Sequence, residues 1–154
     1  MTNLEYARMI LNDTDSSNQI FTDSELQQLI SQNSEIKVVP AAPKNLNKTI
    51  WQIPYRKLDS TYEAIVYDEY QTEYNATIDY DEGTATFAAA PDYPVFIECK
   101  IVKWNDVKAD GLEMIATDIR RWNSYSDTGL SEQFDKAGLL AYSRSIRSAR
   151  GVEL

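Results

Sequence analysis

Apolar positions change period twice along the 154 residues, from helical spacing to alternation and back to helical spacing. Leu4, Ala7, Ile10 and Leu11 share one face of a helix expected over about residues 3–11, with Thr2 and Glu5 spaced as a capping box. The polar run 12–18 breaks it, because Asn, Asp, Ser and Thr side chains compete for backbone hydrogen bonds. Phe21-Thr22-Asp23-Ser24-Glu25-Leu26 is the clearest local signal. Thr22 caps, Glu25 closes a second box, and Phe21 staples onto Leu26 in a helix running to about Gln32.

Residues 38–48 shift to Pro, Ala, Asn and Lys and read as a linker. The period then becomes two. Segments 50–53, 62–67, 73–79 and 84–87 are expected strands, with Gly83 supplying a positive φ in the turn after Asp81. From about Tyr93 to Asn123 the helical period is expected to return through Ile97, Ile101, Trp104, Leu112, Ile115, Ile119 and Trp122. Gly111 is its weak point and is expected to mark a kink or a junction of two helices. After a loop at 125–129, a last helix is expected over about 131–149, with Phe134, Ala137, Leu140 and Ile146 facing inward. The fold class this predicts is α+β, mainly α: a small bundle of about four helices with an inserted antiparallel β meander. It forms a single domain, 1–154, with the β insertion at about 46–92.

Composition (43% hydrophobic, 25% charged) belongs to the soluble globular class. No apolar run approaches the length of a membrane span, and the first ten residues lack the pattern of a signal peptide. Cys99 is the single cysteine and suits a reducing compartment, so synthesis in cytosol is expected. The net charge of −9 is unevenly placed. Residues 1–57 balance, as do 94–154, and the excess lies in 58–93, with nine acidic residues and no Lys or Arg. Its Tyr, Ile, Val, Thr and Phe content argues that this block folds.

Histidine is absent, which removes the usual general base near neutral pH and rules out Ser–His and Cys–His nucleophile pairs. A zinc site lacks its ligands, and no glycine-rich phosphate loop is present. Asp13-x-Asp15-x-Ser17 has the opening of a calcium loop, but Asn18 and Ser24 stand where Gly and Glu are required, so it reads as a polar turn. No enzyme activity, cofactor or metal is expected.

The element order, with Asn12-Asp13-Thr14-Asp15 leading into Phe21-Thr22-Asp23-Ser24-Glu25-Leu26, then Asp79 to Ala88 and the loop Tyr125-Ser126-Asp127-Thr128-Gly129, resembles the head–tail connector (adaptor) proteins of tailed bacteriophages. The resemblance covers about two-thirds of the chain. It implies a structural subunit in the virion neck, made in the host cytoplasm. Its partners would be the portal protein, tail or neck proteins and copies of itself in a ring, usually of twelve, with packaged DNA passing through without specific binding and no membrane involved.

Two groups of residues become candidates. Arg144, Arg147 and Arg150 recur at i+3 on the last helix and fit either docking onto an acidic surface of the portal or a neighbour, or a solvated helix end. Glu63, Asp68, Glu69 and Glu73 fit either a channel wall that repels phosphates or an acidic outer surface. Tyrosines 62, 67, 70, 74 and 80 suit packing or subunit contact. Two other readings remain open: an acidic DNA mimic that inhibits a host DNA-binding protein, and a tail-associated binding module.

Overall fold

The structure, a computed structural model, describes residues 1–126 and 135–148. Phe134, Arg150 and residues 127–129 of the expected loop lie outside the described residues. The chain divides into two compact units, Met1–Asn33 with Lys103–Leu154, and Ser34–Val102.

The first unit is helical: α1 (Asn3–Ile10), α2 (Asp23–Gln32), α3 (Trp104–Thr117), α4 (Ile119–Ser126) and α5 (Lys136–Ser148). Both capping boxes form. Thr2 Oγ1 accepts the Glu5 N–H and Glu5 accepts the Thr2 N–H, and Thr22 and Glu25 repeat the exchange at α2. Each box satisfies two amides that a helix start otherwise leaves unpaired. Phe21 and Leu26 are both buried, as a staple requires.

The polar turn between α1 and α2 is organised by Asp13. Its buried carboxylate accepts the N–H groups of Ile20 (2.7 Å) and Phe21 (3.1 Å) and pairs with Arg8 at 2.6 Å. Arg8 also donates to Phe21 O and Asp23. A charge taken out of water in this way is stable only when partners fill its lone pairs, and here they do.

Gly111 is not a junction of two helices. It sits inside α3, where a Cβ would fall 2.5 Å from Leu11 Cδ2, so its missing side chain is the space into which buried Leu11 packs. The helix ends instead at Asp118, whose extended backbone stops α3 and whose Oδ1 accepts the Arg120 N–H to start α4.

The second unit holds seven strands in two antiparallel sheets. One is ordered β1-β7-β4, from β1 (Ser34–Pro40), β7 (Val95–Val102) and β4 (Ile65–Asp68). The other is β2-β3-β6-β5, from β2 (Ala42–Pro43), β3 (Ile50–Gln52), β6 (Thr84–Phe87) and β5 (Ala76–Asp79). Val39, Val66, Val95, Ile97, Cys99 and Ile101 of the first sheet share one core with Trp51, Ala85 and Phe87 of the second. Gly83 takes the expected positive φ, 68°, in the turn between β5 and β6.

This is a mixed α and β fold, not the mainly helical four-helix bundle with one inserted meander that the sequence predicts. Two segments account for the difference. Residues 95–102 form the central strand β7 rather than the start of a long helix. Ile97 to Ile101 is a step of four, which suits a helix turn and two strand repeats equally, and buried Val95, Ile97, Cys99 and Ile101 show that the period is two. Of the expected linker 38–48, residues 38–40 and 42–43 are strand. Pro40 and Pro43 belong to β1 and β2, which are both edge strands, where a missing N–H costs no ladder bond. The β unit therefore spans Ser34–Val102, against the expected 46–92.

On α5 the buried positions are Leu139 and Ser143, while Ala137, expected to face inward, is exposed.

Gly111→Ala should lower stability despite alanine's helix preference of about 1 kcal/mol, because overpacking a buried leucine costs roughly 1–3 kcal/mol. In a Leu11→Ala background the same change should become neutral or stabilising. Urea denaturation of the two single variants and the double variant checks this, and additive effects would mean that Leu11 and Gly111 do not share the space.

Candidate functional site

The two described members of the expected cationic strip differ in their surroundings. Arg144 is exposed on α5. Arg147 lies on the stripe that continues from Leu139 and Ser143, and its guanidinium pairs with Asp110 and with Glu113 (2.5 Å), both on α3. It fastens α5 to α3 and is a fold element first. Arg150 lies outside the described residues.

The acidic block also divides. Glu63, Glu69 and Glu73 are exposed. Glu69 and Glu73 lie in the turn that follows β4, where Glu73 bridges to Tyr67. Asp68 is buried. It accepts the N–H groups of Tyr70 (2.9 Å) and Thr72 (3.0 Å) and the hydroxyl of Tyr74 (3.0 Å), and so builds that turn. Burial alone would raise its pKa, but these donors outweigh burial and hold it below the ordinary carboxylate value. Asp59 plays the same part for Thr61, and Asp79 for Asp81 and Glu82. Asp68 is thus withdrawn from the set of residues able to face a channel.

The tyrosines of this block split likewise. Tyr62 donates to Glu98 and Tyr74 to Asp68, while Tyr80 accepts the Ala64 N–H. Tyr70 is 66% exposed and meets Tyr93 edge-on at 5.0 Å.

One arrangement has no counterpart in the sequence reading. In the helical unit a cleft of about 300 Å³ is lined by Phe21, Thr22, Glu25, Arg120 and Arg121 among others. The buried Arg121 guanidinium grips both oxygens of Glu25 (2.9 and 3.2 Å), approaches Asp118 at 3.4 Å and lies 5.0 Å from the centre of the Phe21 ring. Glu25 therefore caps α2 and anchors α4 at once. The capping box was legible, but the arginine that uses its carboxylate comes from 96 residues further along the chain. The arrangement is a compensated clamp: its carboxylates are held by arginine, and Arg120 is left exposed at the rim.

Cys99 is buried on β7, and burial, with the Glu98 charge adding, pushes its thiol up to about 11. Such a thiol is a packing group rather than a nucleophile. Asp13 and Asp15, the opening of the apparent calcium loop, are used by the protein itself: Asp15 accepts from the Ser17 N–H and hydroxyl. Among the described residues, no group of three or more acidic or cysteine side chains is placed to hold a metal ion.

No family model matches the chain, and no curated protein or solved structure matches it.

Arg147→Glu should destabilise the helical unit by roughly 1–2 kcal/mol, since it removes two partly screened ion pairs and sets three carboxylates together. Arg144→Glu should leave the denaturation midpoint unchanged. Equal midpoints for the two variants would return Arg147 to the solvated surface.

Asp68 also makes stability depend on pH. Its folded pKa lies below the unfolded value of about 3.9, so its contribution is fully present above pH 4 and is lost as pH falls through the folded value. Asp68→Asn should be less stable than the parent at pH 7, with the gap narrowing towards pH 2. Denaturation curves across that range check it, and a gap independent of pH would remove the carboxylate from the account.

Proposed function

We propose that this chain is a structural head–tail connector (adaptor) subunit of a tailed bacteriophage, forming a ring between portal and tail that extends the DNA channel. The observation that carries the reading is the way the β unit is set into the chain. It leaves after α2 and returns before α3, with Ser34 opposite Val102 and the Lys103 N–H bonded to Asn33 O at 2.8 Å. The helical unit thus keeps the order of two short helices, an insertion and later helices that the resemblance describes, with the insertion enlarged into two sheets. The Phe21–Leu26 segment, one of several on which that resemblance rests, forms a capped helix start.

Charge supports a non-adhesive wall. Between Ser34 and Val102 lie eleven acidic residues against six basic ones, and Glu63, Glu69 and Glu73 are exposed among them. Each Lys or Arg that neutralises a phosphate adds salt-sensitive affinity, so a surface over which DNA must slide is better lined with carboxylates. Arg144, together with Arg150, is the candidate for docking onto the portal or a neighbouring subunit.

Purified protein mixed with portal-bearing heads should add ring density below the portal in electron micrographs. Heads that stay bare would sink the connector reading. Glu63, Glu69 and Glu73 changed together to Lys should leave attachment normal while DNA exit slows. Binding of the unaltered chain to a basic nuclease, lost in that triple variant, would favour the DNA mimic instead.

A further inference from the structure

β1 is an edge strand, and the structure shows which of its backbone groups face outward. Ala41 N–H bonds to Val95 O at 3.1 Å and Lys103 N–H to Asn33 O at 2.8 Å, so odd-numbered residues of the β1 segment turn their N–H and C=O towards β7. On the far side of β7, Lys100 O accepts the Asp59 N–H, which is the same phase. The N–H and C=O of Ile36 and Val38 therefore point away from β7. Among the described residues no strand pairs with that edge. The side chains of Ile36 and Val38 are 54% and 51% exposed, an unusual load for an edge that has no partner.

We propose that this edge pairs antiparallel with β1 of a second copy, centred on Ile36. Charge and proline select that register. Outward-facing groups must meet outward-facing groups, which leaves pairings about Glu35, Ile36, Lys37 or Val38. The first sets Glu35 against its own copy and the third sets Lys37 against its own, and like charges directly opposed are destabilising. The fourth sets Ile36 against Pro40, which has no N–H to donate. Only the pairing about Ile36 sets Glu35 opposite Lys37 twice and Ile36 against Ile36. Glu35 and Lys37 are already 3.2 Å apart within one strand and about 40% exposed, so both charges are in place for the partner. Lys37 and Pro40, which ordinarily blunt an edge, here choose its partner. A two-fold contact closes at two copies, so this edge yields a dimer and nothing larger. The inference stands apart from the connector reading, whose ring needs a head-to-tail contact at another surface of the chain.

A contact built on a few hydrogen bonds and two exposed ion pairs is weak, so the test is sedimentation at roughly 100 µM protein and low salt. The parent should sediment as a dimer. Lys37→Glu should be monomeric, because Glu then faces Glu35 of the partner, and Glu35→Lys with Lys37→Glu should be dimeric again. Ile36→Pro removes only an outward N–H and should give a folded monomer, with circular dichroism confirming the fold of each variant. A monomeric parent overturns the proposal. So does a dimer that survives both Lys37→Glu and Ile36→Pro, or a folded double variant that stays monomeric.

Discussion

The ladder between β1 and β7 is the constraint on which both units rest. It pairs every residue from Ser34 to Pro40 with one from Val102 back to Phe96, and so returns the chain to the point where it left α2. The helical unit is assembled from segments far apart in sequence, and α3 follows the insertion directly. Closing a long excursion costs entropy that grows only slowly with length, so one well-paired ladder is enough to hold it shut. The same strand β7 supplies four core residues to the β unit, which makes closure and core formation a single event.

Buried carboxylates are the second theme. Asp13, Asp59 and Asp68 are each less than a tenth exposed, and each accepts backbone N–H groups from a turn. Among the described residues, turns are therefore written with aspartate more often than with glycine. Part of the acidity that looks like surface charge in the sequence is internal hydrogen bonding. Within residues 58–93 the carboxylates left exposed are Glu63, Glu69, Glu73 and Glu82 with Asp79 and Asp92.

The helix starts were legible because capping is local: Thr2, Glu5, Thr22 and Glu25 lie within one turn of the amides they serve. The turn at Gly83 was legible for the same reason. β7 was not, since its step of four apolar positions fits two periods and only the partner strands decide between them. β1 was hidden by prolines, which read as linker until the strand is known to be an edge. Of the candidate residues, sequence distinguished charged from apolar but not used from unused. Asp68 and Arg147 are consumed by Thr72, Tyr74, Asp110 and Glu113, while Glu63, Glu69, Glu73 and Arg144 stay exposed. Arg121 escaped notice because its partner Glu25 already had a complete local role.

The chain has one cysteine, and it lies in the core of the β unit with its thiol held mostly protonated at neutral pH. A thiol-directed reagent can meet Cys99 only when that unit opens. The rate of labelling in the native protein, compared with the rate for the unfolded chain, is therefore a direct gauge of how often this half opens. The helical half contributes no signal. The stability of the β unit can thus be read in the intact molecule without introducing a probe.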